Sequence, residues 1–223
     1  MNINTRKFWD DRFASGEWEA VDGRSQTANF AITQSRKFNI PYNFTGSILD
    51  FGCGLGDALP VYRKKYSLAK LIGVDFSSAA VEKCVVLYGA IADFICADHS
   101  ACPDADVIIT SNVLEHLEND QLVAQSLLSK CRDLYVIVPY REQYRISEHL
   151  RSYDKSSFDA LSPCGIKVFA SKGWSQYGLR NLWWEFYIKN LLRPIFKKPT
   201  LRRRMQILYH FHNSSFYTRT RSL

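Results

Sequence analysis

Short apolar runs alternate with longer stretches of helical periodicity through most of this chain. Pro41 and Gly46 punctuate the entry to the first run, Ser47–Phe51, and further runs follow at Lys70–Asp75, Ala92–Cys96, Ala105–Thr110 and Leu134–Pro139. These runs are Ile/Val-rich and apolar throughout rather than alternating, as expected of parallel strands covered on both faces. Between them, Ala58–Tyr66, Ser78–Tyr88 and Asp120–Cys131 read as helices. Residues 2–38 also read as helical, with loops near Ser15-Gly16 and Asp22-Gly23. Strands that alternate with helices predict a doubly wound α/β fold. Further on, Ser156–Leu161 reads as a short helix, and Ile166–Ala170 and Gln206–His212 as the sixth and seventh strands.

Composition sharpens this picture in one place. The 223 residues are 46% hydrophobic and 23% charged, an ordinary balance for one domain with a sizeable core. The net charge of +7 is unevenly placed: residues 172–204 hold 9 basic side chains against 1 acidic. The same stretch holds Trp174, Trp183 and Trp184, and its portion from about 179 to 193 reads as a helix. Three readings stay open for this basic aromatic insertion at 173–204. It roofs a pocket, it meets an anionic membrane surface, or it contacts nucleic acid, for which no recognised motif is present.

The six scattered cysteines contain no CxxC pair and read as reduced thiols, and the histidines do not supply a clustered metal site. The start of the chain lacks the apolar core of a signal peptide, and no apolar run reaches the ~18 residues of a membrane span. Cytoplasmic chemistry is the expectation.

The first strand ends on Asp50 and runs into Gly52-Cys53-Gly54-Leu55-Gly56. Glycines serve where a backbone turns sharply and lets a ligand approach, and the following helix offers free N–H groups. Asp75, ending the next strand, is placed to accept from ribose hydroxyls. The spacing differs from the G-x-G-x-x-G of dinucleotide enzymes, which also carry an apolar residue at the place of Asp50.

ILDFGCGLGD resembles motif I of class I S-adenosylmethionine-dependent methyltransferases, LIGVDFSSAAVEKC their second motif, and DVIITSNVLEHLEND the stretch through their fourth strand. FWDDRFASGEWE resembles the N-terminal cap of small-molecule members. The resemblance covers roughly residues 45–160. It implies a Rossmann-like, mostly parallel seven-stranded sheet with an antiparallel last strand and a helical insertion before it. It also implies one domain, with cap helices at 1–44, a cofactor core at 45–172, the insertion at 173–204 and the final strand and tail at 205–223.

Carried over residue by residue, the resemblance sets Asp50, Gly52, Cys53 and Gly54 against the methionine part of S-adenosylmethionine. Asp75 takes the ribose, Phe76 lies on the adenine, and Asp98 binds the adenine amino group with Ala97 and His99 beside it. Asn112 and Val113 line the pocket near the sulfonium. A loop carboxylate or helix cap is the other reading of Asp98.

A sulfonium methyl needs an aligned nucleophile, and a hydroxyl nucleophile also needs a base. His149, in a stretch resembling the H-x-R-x-Y of sugar methyltransferases, is the first candidate. His116, with Glu115 beside it, is the second. Each histidine also has a plain structural reading, as a packing or a loop residue. Thr110-Ser111-Asn112-Val113-Leu114 stands where amide- and base-directed members carry N/D-P-P-Y/F, which points to a hydroxyl acceptor. A glycan precursor, lipid-linked intermediate or other small metabolite is expected, with no catalytic metal. RNA or protein methylation is the alternative, as is a non-catalytic cofactor-binding regulatory or scaffold subunit.

Overall fold

The computed structural model describes residues 3–142, 145–170, 189–195 and 204–216. Three cap helices come first: α1 (Arg6–Ala14), α2 (Glu17–Ala20) and α3 (Gly23–Ser35). The expected breaks between them hold, with Gly16 and Asp22 both in the left-handed region. The core follows as β1 (Ser47–Phe51), α4 (Leu59–Lys65), β2 (Lys70–Asp75), α5 (Ser78–Tyr88), β3 (Asp93–Cys96), β4 (Ala105–Ser111), α6 (Asp120–Ser129) and β5 (Cys131–Tyr140). It ends with β6 (Gly165–Ala170), a short helix α7 (Lys189–Leu192) and β7 (Met205–His212).

The sheet has seven strands in the order β3-β2-β1-β4-β5-β7-β6. β1 pairs in parallel with β2 and with β4, while β7 runs antiparallel to both β5 and β6. The architecture is therefore the expected Rossmann-like sheet with an antiparallel last strand. Adjacent residues of each strand feed opposite faces, which is why the strands carry continuous apolar runs. Leu49, Ile108 and Val136 pack on one side with Val123 and Leu127 of α6. Ile48, Val107 and Ile137 pack on the other with Leu59 and Tyr62 of α4 and Ala31 of α3. A fully buried aliphatic side chain of this kind contributes about 1.5–3 kcal/mol.

The strand order reverses between β1 and β4, since β2 and β3 lie to one side and β5 to the other. In open α/β sheets that switch point, at the carboxyl ends of the strands, is where ligands bind. Asp50, Asp75 and Ser111 all stand there.

Two local readings need correction. The helix expected over Asp120–Cys131 stops at Ser129, because Cys131 already pairs with Ala105 in the sheet. The helix expected over Ser156–Leu161 is turns and one short 3-10 segment, Asp159–Leu161. Asp154 accepts from the Ser156 N–H and hydroxyl at 3.0 and 2.7 Å, which turns the chain before a helix forms. Of the helix expected near 179–193, residues 189–192 are helical and the rest lies outside the described residues. Among the described residues no helix is long and apolar enough to cross a membrane.

Candidate active site

A cavity of about 610 Å³ opens at the carboxyl ends of β1, β2 and β4, beneath the cap helices. Its floor is the glycine loop. Gly52 has φ +74°, and a Cβ built there would lie 2.4 Å from Val113 Cγ2, so the position has room only for hydrogen. Gly54 has φ +53°, a conformation that disfavours side chains, and it donates its N–H to Asp75 at 2.8 Å. Asp75 also accepts from Ser77 N–H at 2.9 Å.

Asp50 and Asp75 are both buried, at 4% and 5% exposure, side by side under the loop. Burial raises the Asp50 carboxyl to about 7, helped by the charge of Asp75. Burial likewise raises Asp75 to about 6, against the lowering pull of its backbone hydrogen bonds. Two buried carboxylates with no salt-bridge partner among the described residues suit a positively charged ligand.

The part of the cavity beyond β2 and β3 is less enclosed. Phe76 lines the cavity with the Arg6 guanidinium 5.7 Å from its ring centroid. Ala97 is buried. Asp98 and His99 line the cavity too, but Asp98 is exposed and one of its oxygens accepts from Ser100 N–H, Ser100 hydroxyl and Ala101 N–H. Asp98 is thus a loop carboxylate whose residue also borders the cavity.

Val113 and Asn112 follow β4, with Asn112 left-handed at φ 55°. Asn112 belongs to a closed ring of four hydrogen bonds that the sequence did not announce. Gln34 Nε2 donates to Gln206 Oε1 at 3.2 Å, and Gln206 Nε2 to Asn112 Oδ1 at 2.9 Å. Asn112 Nδ2 donates to Ser111 Oγ at 3.2 Å, and Ser111 Oγ back to Gln34 Oε1 at 3.0 Å. Both glutamines are fully buried, and the ring joins α3, the end of β4 and β7.

At the other end of the cavity the three candidate catalytic side chains converge. One ligating atom each of Glu115, His116 and His149 lies within 4.8 Å of the other two. The expectation that the histidines form no cluster is corrected here: residues 33 positions apart are joined by Leu150 N–H donating to Glu115 O at 2.8 Å. His149 Nδ1 stands 2.7 Å from Glu142 Oε2, and His116 Nδ1 stands 3.0 Å from Glu148 O. The rings of the two histidines meet edge to face at 5.0 Å. Burial lowers His116 to about 4, and burial holds the Glu115 carboxyl well above its ordinary value.

The cap closes this end. Trp9 packs on His116 with centroids 5.3 Å apart, and Arg12 lies 5.5 Å and 5.4 Å from the Trp9 and Trp18 rings. Arg12 also pairs with Glu148 at 3.2 Å, tying α1 to the His149 loop. Glu142, Glu148 and Arg12 were missed as site residues, although the two acids flank His149 within REQYRISEHLRSY. All six cysteines are free thiols, as expected.

The sequence profile of a family described as a methyltransferase domain matches residues 48–134. Among solved structures, the plantazolicin methyltransferase BpumL in complex with SAH is 19% identical, with a TM-score of 0.58 over 94% of this chain and 96% of that one. A chain of the complex between the Haloferax volcanii Trm112 methyltransferase activator and a methyltransferase is 15% identical, with a TM-score of 0.63 over 92% and 96%. Coclaurine N-methyltransferase bound to N-methylheliamine and SAH is 14% identical, with a TM-score of 0.56 over 82% and 71%. Comparison with curated protein sequences gives no match. Residues 48–134 therefore match a methyltransferase domain, and the chain carries it on the Rossmann-like fold that the motif order led us to expect.

Proposed function

We propose that the enzyme methylates a hydroxyl of a glycan precursor, lipid-linked intermediate or other small metabolite. The observation that carries this reading is the convergence of Glu115, His116 and His149 in the cavity that begins at the glycine loop. S-adenosylmethionine supplies an electrophilic methyl, and an acceptor hydroxyl must lose its proton as the methyl arrives.

On this reading Asp50 holds the cofactor's amino group, and Gly52, Cys53 and Gly54 pack against its methionine part. Asp75 takes the ribose, and Phe76, Ala97, Asp98 and His99 enclose the adenine. Asn112 and Val113 border the reacting end. Activation of the acceptor hydroxyl falls to the Glu115–His116–His149 cluster. His149 has the geometry for it, because Glu142 at 2.7 Å fixes the ring by Nδ1 and leaves Nε2 to act.

Labelled S-adenosylmethionine incubated with fractionated extracts of the source cells tests the acceptor. Label is expected in low-mass or lipid-soluble products that resist mild acid and base, as ethers do. Label confined to RNA or protein would overturn the acceptor class, and cofactor binding without any transfer would favour a scaffold. In the same assay His149→Ala should lower turnover at least 100-fold with cofactor affinity retained, the scale of acid–base catalysis.

A further inference from the structure

We propose that Glu115, His116 and His149 form a binding site for one first-row divalent cation, with open coordination positions facing the acceptor. The inference rests on reading this end of the cavity as the acceptor end. It gives the cluster a specific means of activating a hydroxyl.

Glu115 is the first reason. Its side chain is fully buried, and among the described residues neither Oε1 nor Oε2 has a hydrogen-bond partner. A buried carboxylate without a partner costs several kcal/mol, and protonation does not remove the difficulty because the acid O–H would also lack an acceptor. Packing alone gives no account of this side chain. A cation held between it and the two imidazoles does.

The histidines supply the second reason, through the atoms they do not use. The Glu148 carbonyl only accepts, so His116 must donate to it from Nδ1 at 3.0 Å. The Glu142 carboxylate does the same for His149 Nδ1 at 2.7 Å. Each ring is thereby fixed in the tautomer that leaves the Nε2 lone pair for a ligand. Imidazoles that bind metals are held in this way, one nitrogen on the metal and the other donating to a carboxylate or carbonyl.

Backbone contacts hold the ligands on a common frame. Leu150 N–H on Glu115 O at 2.8 Å and His149 N–H on Ile146 O at 3.1 Å lock the loop against the turn that carries Glu115 and His116. Bonds of ~2.0–2.2 Å to a single ion would bring the donors closer together than the present 4.8 Å spread, so the side chains must draw in by about 1 Å on binding. Two imidazoles and one carboxylate favour Mn²⁺, Fe²⁺, Co²⁺ or Zn²⁺ over Mg²⁺ or Ca²⁺, which prefer oxygen alone. Three protein ligands leave positions for acceptor oxygens. With the cation bound, His116 and His149 serve as ligands, and the coordinated hydroxyl, acidified by the cation, would release its proton to solvent in place of the direct transfer to His149.

Titration of chelator-treated, full-length protein with Co²⁺, followed by visible absorption and calorimetry, tests the site without turnover. One equivalent is expected, with a d–d spectrum of nitrogen–oxygen coordination. Glu115→Gln and His149→Ala should each remove it, and Glu142→Gln should weaken binding about 10–100-fold, as loss of a ligand's orienting partner does. His212→Ala, a change far from the cavity in the His210–Asp133–His212 cluster, should leave the stoichiometry unaltered. Circular dichroism and S-adenosylmethionine binding on the same samples report folding and the cofactor pocket. A folded protein that binds the cofactor but takes no Co²⁺, or takes it equally well as Glu115→Gln, overturns the metal site and leaves the methyltransfer reading standing. Stoichiometric Co²⁺ with no methylated hydroxyl product from any extract would instead support the metal site and count against the acceptor class.

Discussion

At the scale of single residues, the pair Asp50 and Asp75 sets the proton balance of the pocket. Both carboxyls are raised by burial, to about 7 and about 6. Because the folded values exceed the ordinary 3.8, the folded protein holds more protons than the unfolded chain, and its stability falls as pH rises from about 4 to about 7. A cofactor carrying a sulfonium and an ammonium favours the ionised acids and draws both values down again. Affinity for S-adenosylmethionine should therefore tighten as pH rises from about 6 to about 8 and then level off. Asp50→Asn should bind more weakly and lose most of that rise. Calorimetry across this range checks it, and a wild-type profile as flat as that of the variant would refute the assignment of Asp50. Asp50 was legible in the sequence because it sits beside its glycines. Its coupling to Asp75 was not, since it arises from the parallel pairing of β1 with β2.

At the scale of elements, the ring of Gln34, Ser111, Asn112 and Gln206 fastens a cap helix to the end of β4 and to β7. Gln34 and Gln206 are 172 positions apart, and no periodicity connects them. A buried polar side chain on an apolar strand reads as an exception in the sequence, and only the closed ring explains it. Breaking the ring at one member leaves each of its two neighbours one partner short, at about 1–3 kcal/mol for each buried group. Gln206→Leu should lower thermal stability by that order and also weaken cofactor binding, because Asn112 would lose the partner that orients it beside the loop. Chemical denaturation with and without S-adenosylmethionine separates the two effects. Full cofactor affinity in the variant would make the ring purely structural. The same logic explains which elements were legible. β1, β2 and β4 announce themselves by apolar runs, while Ser156–Leu161 failed because a side-chain hydrogen bond from Asp154 outcompetes a weak helical pattern. The meeting of Glu115 with His149 depended on a backbone bond between distant loops.

At the scale of the whole molecule, charge and topology point the same way. β6 ends at Ala170 opposite Met205 of β7, and Met205 is also opposite Tyr140 at the carboxyl end of β5. The segment between Ala170 and Met205 therefore leaves and rejoins the sheet on the side of the cofactor cavity, and Arg204 lines that cavity. Residues 172–204 hold 9 basic side chains and 1 acidic, and most of them lie outside the described residues. We propose that the positive charge of this segment draws the protein to an anionic lipid surface. Each basic residue near an anionic bilayer contributes about 1 kcal/mol, and the attraction falls with ionic strength. The protein should co-sediment with vesicles containing anionic lipid at low salt and not with zwitterionic vesicles. Neutralising Lys197, Lys198, Arg202 and Arg203 together should abolish pelleting while S-adenosylmethionine affinity is retained, because the glycine loop and Asp75 are untouched. Absence of pelleting with anionic vesicles at low salt would remove the membrane from this account. Tight, steeply salt-dependent binding of tRNA by the same basic residues would move the acceptor towards nucleic acid.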